Sequence, residues 1–193
     1  MGLKATFASA AAVAFQAADD IPSAAILRRT VPTAYNPATG KTEQPSAKLD
    51  GAITADATTI TIKTTAGTWV DVAGVVKIGA ENIFYKAKSG LTLTGCVRGY
   101  NSTTPAAAAD SAAVSLTSQD FPASAIMGSY KQFEITGTSI LATDRKATLR
   151  QAEVPGAGTP TTADKLVVGG KSLTIVNVGQ DPAGVLWVLQ VRG

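Results

Sequence analysis

Short apolar and β-branched runs, separated by glycine- and proline-containing turns, occupy most of this chain. The clearest example closes the sequence, where residues 165–168 and 171–178 flank a Gly-Gly pair. Glycine supplies the positive φ angles that a two-residue hairpin turn demands. A second turn, at residues 181–184 (DPAG), leads into residues 185–192 (VLWVLQVR), which are apolar enough to be covered on both faces. The pattern predicts a mainly β fold, a small antiparallel barrel or sandwich.

The middle of the chain reads as a separate module. Residues 41–48 (KTEQPSAK) are polar and contain a proline, which is typical of a linker. After them, residues 58–63 (TTITIK) alternate between polar and apolar positions, and residues 82–86 (NIFYK) form another short strand pattern. We expect an inserted small β domain over residues 49–118, long enough to hold a marginal core of its own.

The segments on either side, residues 1–48 and 119–193, are expected to form one discontinuous β-barrel domain. Residues 130–135 (YKQFEI) alternate and predict a strand within it. Residues 1–18 place apolar side chains along one stripe of a helix, which predicts an amphipathic helix lying on the domain. A weak secretory signal is the alternative for this alanine-rich start.

Composition excludes much chemistry. The chain of 193 residues has no histidine, so serine and cysteine triads that use an imidazole base are excluded, as are His-ligated zinc sites. Its one cysteine, Cys96, allows no intramolecular disulfide and fits a small buried apolar position in a protein that matures in a reducing cytoplasm. The sequence therefore predicts a protein that is not an enzyme, with no catalytic, metal or cofactor site.

The net charge of +3 is unevenly distributed along the chain. Residues 49–118 carry five bases and five acids, so the whole excess lies outside the predicted module. A charge of this size does not indicate a sequence-reading nucleic-acid protein, which normally has a dense basic face with interleaved aromatic residues. It permits contact with phosphate.

Four features in order along the two outer segments carry a resemblance to a known family. They are a helix before the strand 26–29 (ILRR), the turn 35–40 (YNPATG), the stretch 135–140 (ITGTSI) followed by 144–146 (DRK), and a closing hairpin with VGGK, PAG and LQVR. Together they resemble the neck proteins of long-tailed bacteriophages, also called head-completion or stopper proteins. The middle segment resembles a small β unit appended to many phage structural proteins.

The resemblance implies a structural virion protein, made in the cytoplasm of the host bacterium. It implies a homo-oligomeric ring of 6 or 12 copies that closes the DNA-filled head. Portal or adaptor proteins would bind on the head side and tail terminator or tail tube proteins on the tail side, without a membrane. It also implies that residues 136–144 project toward the DNA channel.

Candidate interface residues follow from this expectation, because basic side chains facing a channel contact phosphate without reading sequence. Surface solubility, or salt bridges to a neighbouring subunit, is the alternative role for the basic ones. The candidate DNA-channel or subunit-interface residues are Arg28, Arg29, Thr136, Gly137, Thr138, Asp144, Arg145, Lys146 and Arg150.

A second hypothesis is a tail-tip or decoration protein whose inserted module binds host glycan. The candidate contact residues of the module are Trp69, Tyr85, Arg98 and Tyr100. For Arg98 we favour a structural role, in which its guanidinium braces the module by bonding backbone carbonyls or Glu81.

Overall fold

The structure is a computed structural model that describes residues 6, 9–10, 23–31, 33–37, 40–135, 137, 139–154 and 156–193. The helix expected over residues 1–18 lies almost wholly outside these ranges and stays a prediction. Within the described ranges, no helix has both the length and the apolar character needed to span a membrane.

Strands make up nearly all the regular structure of the described residues, which confirms the mainly β fold class. Two short 3-10 helices, η1 (Gln132–Glu134) and η2 (Gln151–Glu153), interrupt them. The strands are β1 (Ser23–Thr30), β2 (Ala34–Asn36), β3 (Lys41–Glu43), β4 (Ser46–Leu49), β5 (Thr59–Ala66), β6 (Val72–Ile78), β7 (Glu81–Ser89), β8 (Thr92–Thr94), β9 (Val97–Tyr100), β10 (Ala113–Ser129), β11 (Arg145–Arg150), β12 (Lys165–Val168), β13 (Lys171–Gln180) and β14 (Leu186–Arg192).

The chain divides into two compact units, a discontinuous unit (Met1–Arg28 with Phe121–Gly193) and a central unit (Arg29–Asp120). The central unit begins before residue 49, the predicted start of the module. The reason is that β4 pairs with both β5 and β10, so its residues belong with the strands that follow them.

The discontinuous unit forms a closed six-stranded antiparallel barrel. Its strands pair in the order β1-β12-β13-β14-β11-β10, and β10 pairs with β1 to close the ring. Side chains alternate along β11, so that Ala147 and Leu149 are buried while Thr148 between them is only half-buried. Leu27 of β1 and Leu166 of β12 meet in the core from opposite strands. Each buried leucine contributes about 2 kcal/mol to the free energy of unfolding.

The predicted closing hairpin is confirmed. Val168 pairs with Lys171 across the turn, and Gly169 and Gly170 have φ angles of 57° and 76°. Residues other than glycine rarely adopt these backbone angles. The Gly-Gly pair therefore places the turn and fixes the register of β12 against β13. That register also determines which side chains of the two strands face outward.

The central unit is built around a second ring of pairings, β10-β4-β5-β8-β7-β6, with β9 beside β7. The alternation predicted for residues 58–63 is observed, because Ile60 and Ile62 are fully buried and Thr61 between them is not. Its core consists of Val31, Ala47, Leu49, Ile60, Ile62, Val76, Ile78, Ile83, Tyr85, Leu93, Cys96, Val114 and Leu116.

One sequence expectation about strands is wrong. Residues 130–135 do not form a strand, because η1 occupies their centre and the Glu134 carboxylate accepts a hydrogen bond from the Lys131 backbone N–H at 2.7 Å. The strand before η1 is the 17-residue β10, which extends from Ala113 to Ser129. Its first part pairs within the central unit and its last part pairs with β11.

Candidate functional site

The candidate DNA-channel or subunit-interface residues lie on β1, on β11 and in the segment before β11. Arg28 and Arg29 are half-buried on β1, and both interact with other residues of the chain. Thr136 and Thr138 lie outside the described residues. Gly137 is exposed with a φ of 76°, and its N–H donates to the Ile140 carbonyl at 3.1 Å.

Asp144 is buried at the centre of a hydrogen-bond network. Its carboxylate accepts from Arg192 Nε at 2.6 Å and Nη2 at 2.9 Å, which is the bidentate geometry typical of strong arginine pairs. It also accepts from Gln190 Nε2 at 2.6 Å and from the Leu141 N–H at 3.0 Å. Gln190 Nε2 donates in addition to the Ser139 carbonyl at 2.7 Å. The network therefore fastens residues 139–144 to β14.

The charge of Asp144 is stabilised by this network. The hydrogen bonds from Arg192 hold the pKa of the Asp144 carboxyl well below its usual range, in spite of its burial, and those from Leu141 and Gln190 act in the same direction. The same pair raises the pKa of Arg192. Both groups are thus ionised at neutral pH, and the pair acts as a permanent structural contact.

Two further candidate bases have acidic partners within the unit. Lys146 Nζ lies 3.2 Å from Glu134 Oε1 and 4.9 Å from the centre of the Tyr130 ring. The hydrogen bond from the Lys131 backbone, and then that from Lys146, lower the pKa of Glu134. Arg150 Nη1 lies 3.2 Å from Glu153 Oε1. Arg145, by contrast, is exposed.

The carboxylates of residues 121–193 all bond to groups of the same unit. Beside the three ion pairs, Asp164 accepts from the Thr161 N–H at 2.9 Å and Asp181 accepts from three N–H groups of the turn before β14. This segment has seven lysines and arginines against five acids. Four of these bases, Lys131, Lys165, Lys171 and Arg192, are not among the candidates from the sequence. Lys165 of β12 and Lys171 of β13 are both exposed. A sequence observation that could have drawn attention to Lys165 and Lys171 is that the segments forming β12 and β13 contain no acidic residue.

Arg98 of the central unit has the structural role that the sequence favoured. Its Nη2 lies 2.7 Å from Glu81 Oε2 and its Nε lies 2.9 Å from Glu81 Oε1. The guanidinium also donates to the carbonyls of Thr54 and Ala106. The Glu81 carboxylate accepts from the N–H groups of Gly99 and Ala106 at 2.9 and 3.0 Å. The ion pair thereby holds the loop after β9.

Glu81 is 2% exposed, and two opposing effects act on the pKa of its carboxyl group. Burial raises its pKa, but the hydrogen bonds from Arg98, Gly99 and Ala106 together outweigh burial, so that the pKa is lowered. These donors together compensate for the burial of a charged carboxylate.

The aromatic candidates of the central unit occupy different environments. Tyr85 is fully buried, and its hydroxyl donates to the Val70 carbonyl at 2.9 Å, so its ring forms part of the core. Trp69 is half-buried, with its Nε1 donating to the Ser46 carbonyl at 3.4 Å. Tyr100 packs against Phe84 with ring centres 5.4 Å apart, and its hydroxyl donates to Asp120 at 3.0 Å. The structure does not bring these three side chains together as one exposed cluster.

In the described part of the chain, no group of three or more Cys, Asp and Glu side chains is arranged to hold a metal ion. The arrangement that the structure does provide is a closed barrel with a fastened segment, residues 139–144, and outward-facing bases. Comparison with known proteins finds no matching protein family, curated protein or solved structure.

Proposed function

We propose that this chain is a structural protein of the phage neck, which assembles as a ring of 6 or 12 copies. The ring closes the DNA-filled head and joins portal or adaptor proteins to the tail terminator or tail tube. Its action is steric and needs no cofactor. The protein is made in the bacterial cytoplasm and resides in the virion.

The observation that supports this proposal most directly is the Asp144 network. A ring subunit must present a surface that is already formed, because ordering a mobile segment on assembly opposes binding. Three side chains, Asp144, Gln190 and Arg192, hold residues 139–144 against β14 before any partner binds. This is the segment in which the family resemblance places the channel-facing loop.

The glycan-binding alternative has less support in the central unit. Tyr85 is enclosed in the core, and the Arg98 guanidinium is occupied by Glu81 and two carbonyls. Two of its four candidate contacts are thus engaged in holding the unit together.

Deletion of the gene from the phage that encodes it tests the proposal. We expect heads that package DNA, leak it and bear no tails when the lysate is imaged. Tailed particles that fail to adsorb to the host would instead indicate the glycan-binding alternative. Purified chain that stays monomeric in the presence of portal, adaptor and tail components would also contradict the proposal.

Complementation sharpens the test. Asp144→Asn removes the charge that fastens residues 139–144, and we expect it to restore fewer tailed particles than the wild-type gene. Asp71→Asn is the matched control, since Asp71 forms a single ion pair with Lys88 at 3.2 Å and its side chain is 77% exposed. Equal complementation by the two variants would show that the fastened segment has no part in assembly.

A further inference from the structure

Strands β2 and β3 form a hairpin that stands apart from the other strands of the central unit. Tyr35 is directly opposite Thr42 in this hairpin, and neither strand pairs with any other strand among the described residues. An isolated two-stranded hairpin is at best marginally stable in water. The chain on either side is fixed, because Val31 and Pro45 are buried and Val31 belongs to the central core. The hairpin is therefore anchored at its base and exposed beyond it.

The β2–β3 hairpin carries an exposed aromatic side chain. Tyr35 is 67% exposed, a larger fraction than for the other exposed large apolar residues, Val72, Leu91 and Val97. Tyrosine is enriched at protein interfaces, because its ring buries apolar area while its hydroxyl keeps a hydrogen-bond partner. The two strands contain one base, Lys41, and one acid, Glu43, so they offer no excess positive charge to a phosphate backbone. The composition of the hairpin fits a protein partner.

A second apolar surface of the central unit lies on the outer side of β7 and β9. Phe84 lies between Ile83 and Tyr85, which are both fully buried, so its ring is on the face opposite the core. Val97 is directly opposite Phe84 in the register and is 52% exposed. The ring centre of Tyr100 lies 5.4 Å from that of Phe84. Phe84, Val97 and Tyr100 together form the β7–β9 face.

The charged residues beside these two surfaces have opposite signs. Lys41 of the hairpin is exposed, and so is Asp56 near the β7–β9 face. Asp56 lies two residues before Thr58, whose carbonyl accepts a hydrogen bond at 2.9 Å from the N–H of Cys96, the residue before Val97. Four other acids of the central unit form ion pairs of 3.6 Å or less, namely Asp50, Asp71, Glu81 and Asp110. Asp56 forms no ion pair with any described base.

A ring of identical subunits that all face the same way is built from head-to-tail contacts, in which each subunit uses two different surfaces. We propose that the β2–β3 hairpin of one copy docks Tyr35 on the β7–β9 face of the next copy, with Lys41 beside Asp56. The inference rests on the proposed function, because the ring is what places a second copy beside the hairpin. It assigns the contact between subunits to the central unit.

Sedimentation velocity of the full-length chain, alone and with purified portal and adaptor proteins, tests the contact. Tyr35→Ser and Val97→Ser are each expected to raise the Kd of self-association about thirtyfold, the loss typical of an interface hot spot. Leu91→Ser is the matched control, since Leu91 is 47% exposed but lies in the turn between β7 and β8, outside the proposed contact. It should associate as the wild type does. All three side chains are exposed, so dilute samples of the variants should melt close to the wild-type temperature.

Mixing experiments test the head-to-tail geometry. Tyr35→Ser retains an intact β7–β9 face and Val97→Ser retains an intact hairpin, so one normal contact forms between them. At a concentration where each variant alone is monomeric, we expect an equimolar mixture to form dimers and no rings. Lys41→Glu and Asp56→Lys should each weaken association, and a chain that carries both substitutions should recover most of the lost affinity.

The outcomes separate this inference from the proposed function. Rings formed by Tyr35→Ser with wild-type affinity overturn the inference and leave the neck function standing. If those rings no longer bind portal or adaptor, the hairpin belongs to a head-side partner and the inference is likewise wrong. An equal loss in Leu91→Ser would show only a general effect of apolar surface and would also overturn it. Open filaments that depend on Tyr35 and Val97 would support the contact and contradict the neck function, because a head-to-tail contact that does not close gives a filament.

Discussion

The ring of Tyr85 lies directly against the α-carbon of Gly74, its cross-strand partner on β6. A Cβ placed on Gly74 would overlap the ring atoms of Tyr85, so the strand tolerates no side chain here. The tyrosine hydroxyl reaches past the glycine to the Val70 carbonyl. The glycine therefore makes room for the largest side chain of the central core.

Gly74→Ala should destabilise the central unit by about 1 to 3 kcal/mol, because the added methyl group must displace a fully buried ring. Urea unfolding followed by tryptophan fluorescence measures this free energy. Gly128→Ala is the control, since its Cβ would have the Lys146 carbonyl oxygen as its nearest neighbour at an ordinary 3.9 Å. If Gly74→Ala unfolds at the wild-type urea concentration, Tyr85 does not fill this space.

Glu81→Ala should destabilise the central unit by about 3 kcal/mol, because it leaves Arg98 without its charge partner in a site that is almost fully buried. The same substitution removes the acceptor of the Gly99 and Ala106 N–H groups. Hydrogen exchange of these two amides is expected to accelerate more than that of the strand amides. Lys88→Gln breaks an ion pair whose acid is exposed, and it should change little. Unchanged protection of Gly99 in Glu81→Ala would contradict the assignment.

Cys96 should react slowly with thiol reagents while the central unit is folded. Burial raises the pKa of its thiol to about 11, and the residue is only 6% exposed. Relative to a thiol of pKa 9.0, the reactive thiolate at pH 8 is reduced about a hundredfold, before steric exclusion is counted. Labelling rates measured in increasing urea should rise together with the unfolding of the central unit. Rapid labelling in the absence of urea would show that the site opens without global unfolding.

Local sequence patterns predicted two kinds of element correctly. These are strands with one buried face and turns whose residue types are typical of a hairpin. The Gly-Gly hairpin and the alternation of Ile60 and Ile62 belong to this class. The length of β10 could not be predicted in this way, because a proline within a run argues against a continuous strand and Pro122 lies inside β10. The residues of β10 also change pairing partner along the strand. Residues 130–135 alternate in sequence, yet the hydrogen bonds around Glu134 favour a 3-10 turn.

The partners of the candidate site residues could be predicted even less from local sequence, because they are set by the pairing of distant strands. The register that places Arg28 opposite Lys165 joins residues that no local pattern connects. Likewise, the pairing of Asp144 with Arg192 reaches from the segment before β11 to the last strand. The sequence identified Arg28 and Asp144 individually, but their partners follow only from the closed order of the barrel.

The pair of Asp144 and Arg192 also gives the barrel a defined response to acid. The hydrogen bonds from Arg192 hold the pKa of Asp144 well below its unfolded value of about 3.9, so the unfolded chain takes up this proton first as the pH falls. The stabilisation is thus fully present above about pH 5 and is lost progressively as the pH drops toward the folded pKa. Asp144→Asn should melt at a lower temperature than the wild type at pH 7 and should lose less stability between pH 4 and pH 2.

Thermal melts across this pH range, monitored by circular dichroism, provide the measurement. Other carboxyls with lowered pKa values, among them Glu134 and Asp181, titrate in the same window, so the difference between wild type and variant isolates the contribution of Asp144. Arg192→Gln removes the main cause of the shift and should reproduce the reduced acid sensitivity. Lys165→Gln, which alters an exposed base whose bonded neighbour is a threonine, should retain the wild-type profile. Parallel acid profiles for the wild type and Asp144→Asn would show that this pair does not stabilise the ionised form.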